Sequence, residues 1–163
     1  MSPIRFTTLA LCATLLAPRA HAQTSFTPDS TTRREVLAVI DRMFATMRVR
    51  DTAGLRATFH PSGRLVGIRG GGKVQVLTID QFIGFVARDQ RGPWIERAHD
   101  PEVHVSGTLA SVWAAYDFHF GETFANCGID AVHLLKVATG WSITEIADTY
   151  VAKQSDCPAA ASR

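Results

Sequence analysis

The second half of this chain most constrains its fold, because four long β-strand patterns follow one another there. Apolar residues alternate or run together, with turn signals between them, over residues 94–106, 108–120, 123–137 and 141–151. Strands joined by short turns pair antiparallel. This half of the chain therefore predicts one mostly antiparallel sheet.

The first half of the chain supplies the helices. Apolar residues at helical spacing predict a first helix that begins at the capping box Thr32-x-x-Glu35, and Asp51 caps a short second helix. A third helix begins at the capping box Thr78-x-x-Gln81. Two short strand patterns precede it, at residues 64–69 and 73–77. Helices followed by a mostly antiparallel sheet indicate an α+β domain.

Residues 1–22 have the features of a secretory signal peptide. Arg5 provides the positive charge, a short apolar run follows, and Ala20-His21-Ala22 is a cleavage pattern. The run is far shorter than the roughly 20 apolar residues that span a bilayer. We expect cleavage after Ala22, a periplasmic or secreted protein, and no membrane attachment afterwards. Residues 23–30 then form a polar leader.

Composition excludes some partners once the signal peptide is removed. Two of the 17 Lys and Arg residues lie in it, so 15 basic residues face 15 acidic ones. A near-neutral protein gives no reason to expect binding to nucleic acid or to anionic membranes. The histidines show neither H-x-H nor HExxH spacing, so we predict no metal and no cofactor.

Two cysteines remain after cleavage, Cys127 and Cys157. An even number in an exported chain predicts a disulfide between them, and two unrelated thiols are the alternative. Such a bond closes a loop that corresponds to roughly 3–3.5 kcal/mol of chain entropy.

The order of elements, together with several short segments, resembles one known superfamily. The segments are Arg50–Leu55, Phe59–Pro61, Trp113–Phe118, Cys127–Ala131, Gly140–Ile143 and Ile146–Thr149. Over about residues 31–152 the chain resembles the nuclear transport factor 2-like superfamily, also called cystatin-like or SnoaL-like. It is most similar to small exported members of lumazine-binding-like type. Residues 153–163 form a C-terminal tail beyond the resemblance.

This resemblance implies a cone, in which a curved, mostly antiparallel sheet wraps around three N-terminal helices and leaves a cavity at its open end. It also implies a homodimer through the outer surface of the sheet. It does not imply one function, because the scaffold hosts isomerases, cyclases, dehydratases, epoxide hydrolases and binding proteins.

Turn chemistry predicts which residues of the last strands meet. A three-residue loop with Gly140 in the left-handed position pairs Asp130 with Asp148. A two-residue turn at Gly121-Glu122 pairs Trp113 with Asp130. One face then holds Trp113, Asp117, His119, Asn126, Asp130 and Asp148, and the other holds Tyr116, Phe118, Phe120, Ile129, Leu135 and Ile143. A slip of one residue at either turn would break this grouping.

The polar face suggests acid–base chemistry. Two carboxylates directly opposite each other repel, so one of Asp130 and Asp148 would keep a proton when they are partly buried. Asp117 and His119 would orient the group. Ligand-binding candidates are Trp113, Tyr116 and Trp94. Whether the polar face lines the cavity or lies outside stays open at this point.

The residues support three functions. The leading interpretation is an exported protein that binds a small, largely apolar or aromatic molecule without turnover. The alternative is a proton-transfer enzyme of isomerase, dehydratase, cyclase or epoxide hydrolase type, with Asp130 and Asp148 as its acid–base pair. The third is an interaction module that uses the sheet surface.

Overall fold

The structure is a computed structural model that describes residues 26–69 and 72–162. The predicted signal peptide at residues 1–22 lies outside the described residues. In chain order the elements are α1 (Ser30–Val49), α2 (Thr52–Thr58), β1 (Phe59–Arg69), β2 (Lys73–Thr78), α3 (Ile79–Arg88), β3 (Trp94–Ser106), β4 (Leu109–Phe120), β5 (Thr123–Val137) and β6 (Gly140–Asp148). Two short 3-10 turns follow, at Gln154–Asp156 and Ala159–Ser162.

The six strands form one sheet in the order β2-β1-β6-β5-β4-β3. Strand β1 runs parallel to β6, and every other neighbouring pair is antiparallel. The β1–β2 hairpin of the first half of the chain thus belongs to the same sheet as the four strands of the second half. The predicted α+β class and the mostly antiparallel sheet are confirmed.

Helix capping agrees with the sequence at α3 and differs at α1. Thr78 accepts a hydrogen bond from the Gln81 backbone N–H, and the Gln81 side chain accepts one from the Thr78 N–H, as predicted. Helix α1 begins earlier than predicted, because Asp29 accepts hydrogen bonds from the N–H groups of Thr31 and Thr32, at 2.8 and 2.9 Å. Asp29 is therefore the cap, and Thr32 lies inside the helix.

The hydrophobic core lies between the helices and the concave face of the sheet. Helix α1 buries Val36, Val39, Ile40, Met43 and Met47, and α3 buries Ile79, Phe82, Ile83 and Val86. Each such side chain contributes roughly 1.5–3 kcal/mol by leaving water. None of the helices in residues 26–69 and 72–162 is long and apolar enough to cross a membrane.

The hairpin between β5 and β6 keeps the predicted carboxylate pair, although its turn differs from the prediction. Val137 pairs with Gly140 across a two-residue loop, where a three-residue loop was expected. The pairing then shifts by one residue at Thr144, between His133 and Leu134. The two differences cancel, so Asp130 lies directly opposite Asp148, as predicted.

The hairpin between β4 and β5 has the predicted turn but not the predicted register. Phe120 pairs with Thr123 around Gly121-Glu122, but a bulge at Ala125 shifts all later pairs by one residue. Asp130 consequently pairs with Ala114 and not with Trp113. The prediction of a single polar face is therefore wrong, because residues on β5 beyond the bulge have exchanged faces relative to β4.

Candidate functional site

A cavity of about 480 Å³ lies between the concave face of the sheet and helices α1 and α3. Aromatic side chains form much of its wall: Trp94, Tyr116, Phe118, Phe120, Phe124 and Tyr150. Met43, Met47 and Ile146 add apolar surface, and three acidic side chains, Glu96, Asp130 and Asp148, add polar surface. The carboxylate pair thus lines the cavity, which answers the question of sheet face that the sequence leaves open.

The three carboxylates come from three different strands. Asp130 on β5 and Asp148 on β6 are directly opposite each other, and Asp130 is only 5% exposed. Glu96 on β3 pairs with Phe118 of β4, and its side chain shares a hydrogen bond with Asp130. Curvature of the sheet therefore brings Glu96 to Asp130, although strand β4 lies between β3 and β5.

Burial raises the pKa of Glu96 well above its ordinary value of 4.5. Repulsion by Asp130 and the hydrogen bond to it add to this effect, followed by repulsion from Asp148 and Asp117. A carboxylic acid that keeps its proton can donate it to a neighbouring carboxylate. Glu96 and Asp130 are consequently two hydrogen-bonded carboxyl groups, of which Glu96 has the raised pKa, an arrangement that general acid–base catalysis can use.

Sequence reasoning missed Glu96, although a signal for it was present. The sequence allows Trp94 either to lie at the rim of the cavity or only to anchor the start of its strand, and in the structure Trp94 lines the cavity. Side chains two residues apart on a strand point to the same face. Strand β3 therefore carries Glu96 to the same side as Trp94, so alternation indicates its face, although not its contact with Asp130.

Tyr116 is buried among hydrogen-bond partners at the cavity wall, on the same side of the sheet as Asp130 and Asp148 and not on the opposite face as predicted. Its phenol oxygen lies 2.7 Å from Oδ1 of Asn126 and 2.8 Å from the carbonyl oxygen of Thr149. A phenol has one hydrogen to donate. Both contacts are satisfied when Tyr116 donates to Thr149 and the Asn126 amide is turned so that its N–H donates to the phenol.

Arg91 is the one Lys, Arg or His among the described residues that line this cavity. It is exposed, its guanidinium lies 3.7 Å from the centroid of the Phe120 ring, and it forms an ion pair with Asp89. The hydrogen bond from Arg91 lowers the pKa of Asp89 to about 2. The contacts with Phe120 and Asp89 thus hold Arg91 at the rim of the cavity.

Asp117 lies on the convex face of the sheet, with three cationic or titratable neighbours. Its carboxylate oxygens are 2.8 Å from Nη1 of Arg97, 2.5 Å from Nε2 of His99 and 2.8 Å from Nε2 of His119. Burial raises the pKa of Asp117, but the hydrogen bond from His99 and the charge and hydrogen bond of Arg97 outweigh burial. The pKa of Asp117 consequently lies below its ordinary value of 3.8.

The predicted contact between Asp117 and His119 therefore exists, but the two do not join Asp130 and Asp148. Trp113 is on the same convex face, opposite Ala131, and is 54% exposed, so it does not line the cavity. The bulge at Ala125 is the cause, because it separates these β4 residues from the acids of β5 and β6. No cluster of His, Cys, Asp and Glu within the described ranges has the arrangement to hold a metal ion.

Residues 31–150 match the model of a protein family described as "Putative lumazine-binding". The chain belongs to this family. No curated protein sequence matches it. Structures with the nuclear transport factor 2-like (NTF2-like) fold are nevertheless similar to this chain over most of its length.

An NTF2-like superfamily protein from Salmonella enterica is 19% identical, with a TM-score of 0.63 over 77% of this chain and 95% of that one. An NTF2-like protein of unknown function from Shewanella baltica is 15% identical, with a TM-score of 0.62 over 78% and 99%. A protein described as a putative dehydratase from the NTF2-like family of Streptomyces avermitilis is 14% identical, with a TM-score of 0.60 over 76% and 98%. At such identities the likeness shows the fold, which is the predicted NTF2-like cone.

In this NTF2-like domain the C-terminal tail is fastened across the convex face of the sheet. Cys127 and Cys157 form the predicted disulfide, with an S–S distance of 2.02 Å. Val151 exchanges backbone hydrogen bonds with Cys127, and the last turn, Ala159–Ser162, packs on β3 and β4. Cys127 pairs with Asp117, so the tail is attached on the face that carries the Asp117 cluster.

Proposed function

We propose that this chain is an exported binding protein whose cavity holds a small, largely apolar or aromatic molecule. The observation that carries this proposal is the cavity of about 480 Å³, with its wall of aromatic side chains. Ligand sites of small molecules are typically apolar clefts of about 300–1,000 Å³ with a few polar groups that fix orientation. The membership in a family described as lumazine-binding favours the same function.

Export is part of the proposal. The sequence pattern of residues 1–22 supports it, and so does the disulfide between Cys127 and Cys157, because disulfides persist in oxidising compartments. We further propose a homodimer through the sheet, for which the exposed Trp113 and Leu109 of the convex face provide apolar surface.

A neutral fluorescent dye, N-phenylnaphthylamine, tests the binding proposal. Ala125 lines the cavity, whereas Ala131 lies on the opposite face of the same strand beside Trp113. We expect dye fluorescence to rise with the native protein and with Ala131→Phe, and to be much weaker with Ala125→Phe, whose added ring occupies the cavity. No rise with the native protein, or equal binding by all three, contradicts the proposal. Circular dichroism checks that each variant is folded.

The second candidate is a proton-transfer enzyme of isomerase, dehydratase, cyclase or epoxide hydrolase type. The specific observation in its favour is the hydrogen bond between Asp130 and Glu96, whose pKa is raised by burial, together with the position of Asp148 directly opposite Asp130. In such an enzyme one of these groups donates a proton to the substrate and another removes one. A structural neighbour described as a putative dehydratase has the same fold.

The binding protein and the proton-transfer enzyme are distinguished by measuring whether a molecule that binds in the cavity is chemically converted. In an enzyme, Asp130→Asn and Glu96→Gln each lower kcat by a factor of about 10² or more while dye binding persists. Turnover that both variants retain rejects these roles, and the absence of turnover with bound ligands leaves the binding function.

A further inference from the structure

We infer that the ligand of this cavity is an organic cation, an aromatic or aliphatic molecule that carries a protonated amine or a quaternary ammonium group. This inference rests on the proposed binding function and specifies the class of ligand. It follows from how charge and aromatic surface are combined in the wall of the cavity.

The charge of the wall is one-sided. Glu96, Asp130 and Asp148 face the cavity, and among its described lining residues only Arg91 carries a positive charge. Arg91 already contacts Asp89 and the face of Phe120. An anionic ligand would therefore contact three acidic side chains. The one positively charged side chain among the described lining residues, Arg91, already has partners.

Aromatic rings stand beside these acids. Trp94 and Phe118 have ring centroids 5.3 Å apart, and Phe118 and Phe120 have centroids 4.9 Å apart. Glu96 lies two residues from Trp94 on β3 and pairs with Phe118 on β4. The faces of aromatic rings attract cations that are within about 6 Å, and attract them more strongly where water is excluded. The same stretch of wall thus combines acidic side chains with aromatic rings.

A neutral ligand would also fit this wall less well than a cation. Covering the partly exposed Asp148 with apolar groups removes water from its carboxyl oxygens, which is unfavourable unless the ligand compensates for the lost water. A positive group on the ligand compensates for it directly. The rest of the cavity, with Met43, Met47 and Ile146, accommodates an apolar body.

The proton on Glu96 links binding to pH. Glu96 faces Asp130 from β5 and Asp148 from β6, and the charge of Asp117 acts on it from the convex face of β4. Helix α1 presents Asp41 and Arg48 in a shallow depression next to Glu96, where Arg97 also lies. Tyr116, Tyr150 and Arg91 complete the titratable or charged groups around the cavity. A bound cation takes the place of the proton, so binding releases protons and strengthens as pH rises.

Three probes of similar shape test the inference by displacing N-phenylnaphthylamine. They are benzyltrimethylammonium, its uncharged carbon analogue neopentylbenzene, and the anion phenylacetate. We expect the cation to displace the dye at a concentration about tenfold lower than the neutral analogue, and phenylacetate to be the weakest. Asp148→Asn should remove this preference. Glu102→Gln, on the same strand as Glu96 but on the convex face, should keep it.

The outcomes separate the inference from the function on which it rests. If the dye binds and the neutral analogue displaces it as well as the cation does, the ligand class is wrong and the binding function stands. Stronger displacement by phenylacetate, or by calcium chloride at equal ionic strength, overturns the inference in the same way. If the dye does not bind to the native protein, the proposed function fails and the ligand class with it.

Discussion

Gly128 and Thr149 approach each other so closely that a Cβ on Gly128 would lie 2.3 Å from the Thr149 carbonyl oxygen. The segment after β6 therefore crosses β5 at a position that only glycine allows. This approach lets Thr149 exchange hydrogen bonds with Ile129, through its N–H at 3.0 Å and its hydroxyl at 2.8 Å. It also places the Thr149 carbonyl 2.8 Å from the phenol of Tyr116. Gly128 thus permits the hydrogen bond that holds Tyr116, a residue of the cavity wall.

Replacing Gly128 by alanine should lower the free energy of unfolding by about 1–3 kcal/mol, because the backbone of Thr149 must move away from the new methyl group. Urea denaturation measures this loss. Gly84→Ala is the matched control, since its Cβ meets only the flexible end of Arg88 within helix α3. We expect Gly84→Ala to be neutral or to add up to about 1 kcal/mol. Equal stability of the two variants would contradict the role of Gly128.

The pairing of Asp130 with Asp148 could be predicted from sequence, but only because two errors cancelled. The loop before Gly140 is one residue shorter than expected, and the bulge at Thr144 compensates for it. No such compensation exists at Ala125, where a bulge moves Asp130 to the face of Tyr116. Alternation and turn signals are local, whereas a bulge responds to the curvature that the packed helices impose on the sheet.

The burial of Glu96 also could not be predicted from its local sequence. Its neighbours along the chain, Ile95 and Arg97, give β3 the pattern of a strand with exposed charges. Charged side chains are rarely buried, so solvation is the usual expectation for such a residue. Packing across β4 and β5 places it beside Asp130, and contacts between distant strands are not encoded in its local sequence.

The raised pKa of Glu96 predicts a stability that falls as pH rises. The unfolded chain loses this proton near the ordinary pKa of 4.5, whereas the folded protein keeps it to higher pH. Between the two pKa values the folded state binds more protons, so the free energy of unfolding decreases with increasing pH. Glu96→Gln, which has no proton to lose, should be more stable than the native protein at pH 8.

Thermal unfolding of the native protein, Glu96→Gln and Glu102→Gln at pH 4 and pH 8 measures this effect. The gain of Glu96→Gln over the native protein should be larger at pH 8 than at pH 4. Glu102 is exposed and is not part of the cavity, so its variant should follow the native protein at both values. If the difference in stability between Glu96→Gln and the native protein is the same at pH 4 and pH 8, the pKa of Glu96 is not raised in the folded protein.

Asp117 should have the opposite dependence on pH. Its pKa lies below 3.8 in the folded protein, so the stability that it contributes is fully present above that value and is lost as pH falls through the folded pKa. Asp117→Asn should cost about 1–3 kcal/mol at pH 7, because Arg97, His99 and His119 lose the negative charge and one of the two acceptor oxygens that they share. The difference from the native protein should shrink below about pH 4.

Asp80→Asn is the control for this pH series. Asp80 pairs with Arg56 at the surface, where both side chains are more than half exposed. Such ion pairs contribute about 0–1 kcal/mol, so the variant should unfold nearly as the native protein does across the range. If Asp117→Asn behaves in the same way, the convex-face cluster contributes no more than an ordinary surface pair.

The disulfide between Cys127 and Cys157 should stabilise the fold through the chain that it closes. The two residues are 30 positions apart, which corresponds to about 3–4 kcal/mol of chain entropy in the unfolded state. Cys157→Ala should therefore unfold at lower urea concentration, as should the native protein in the presence of a reductant, and the reductant should leave Cys157→Ala unchanged. A thiol assay on the unfolded, unreduced mature protein should find no free thiol. Two free thiols, or a native protein whose unfolding is insensitive to reductant, would show that the bond does not form or does not hold the tail on the sheet.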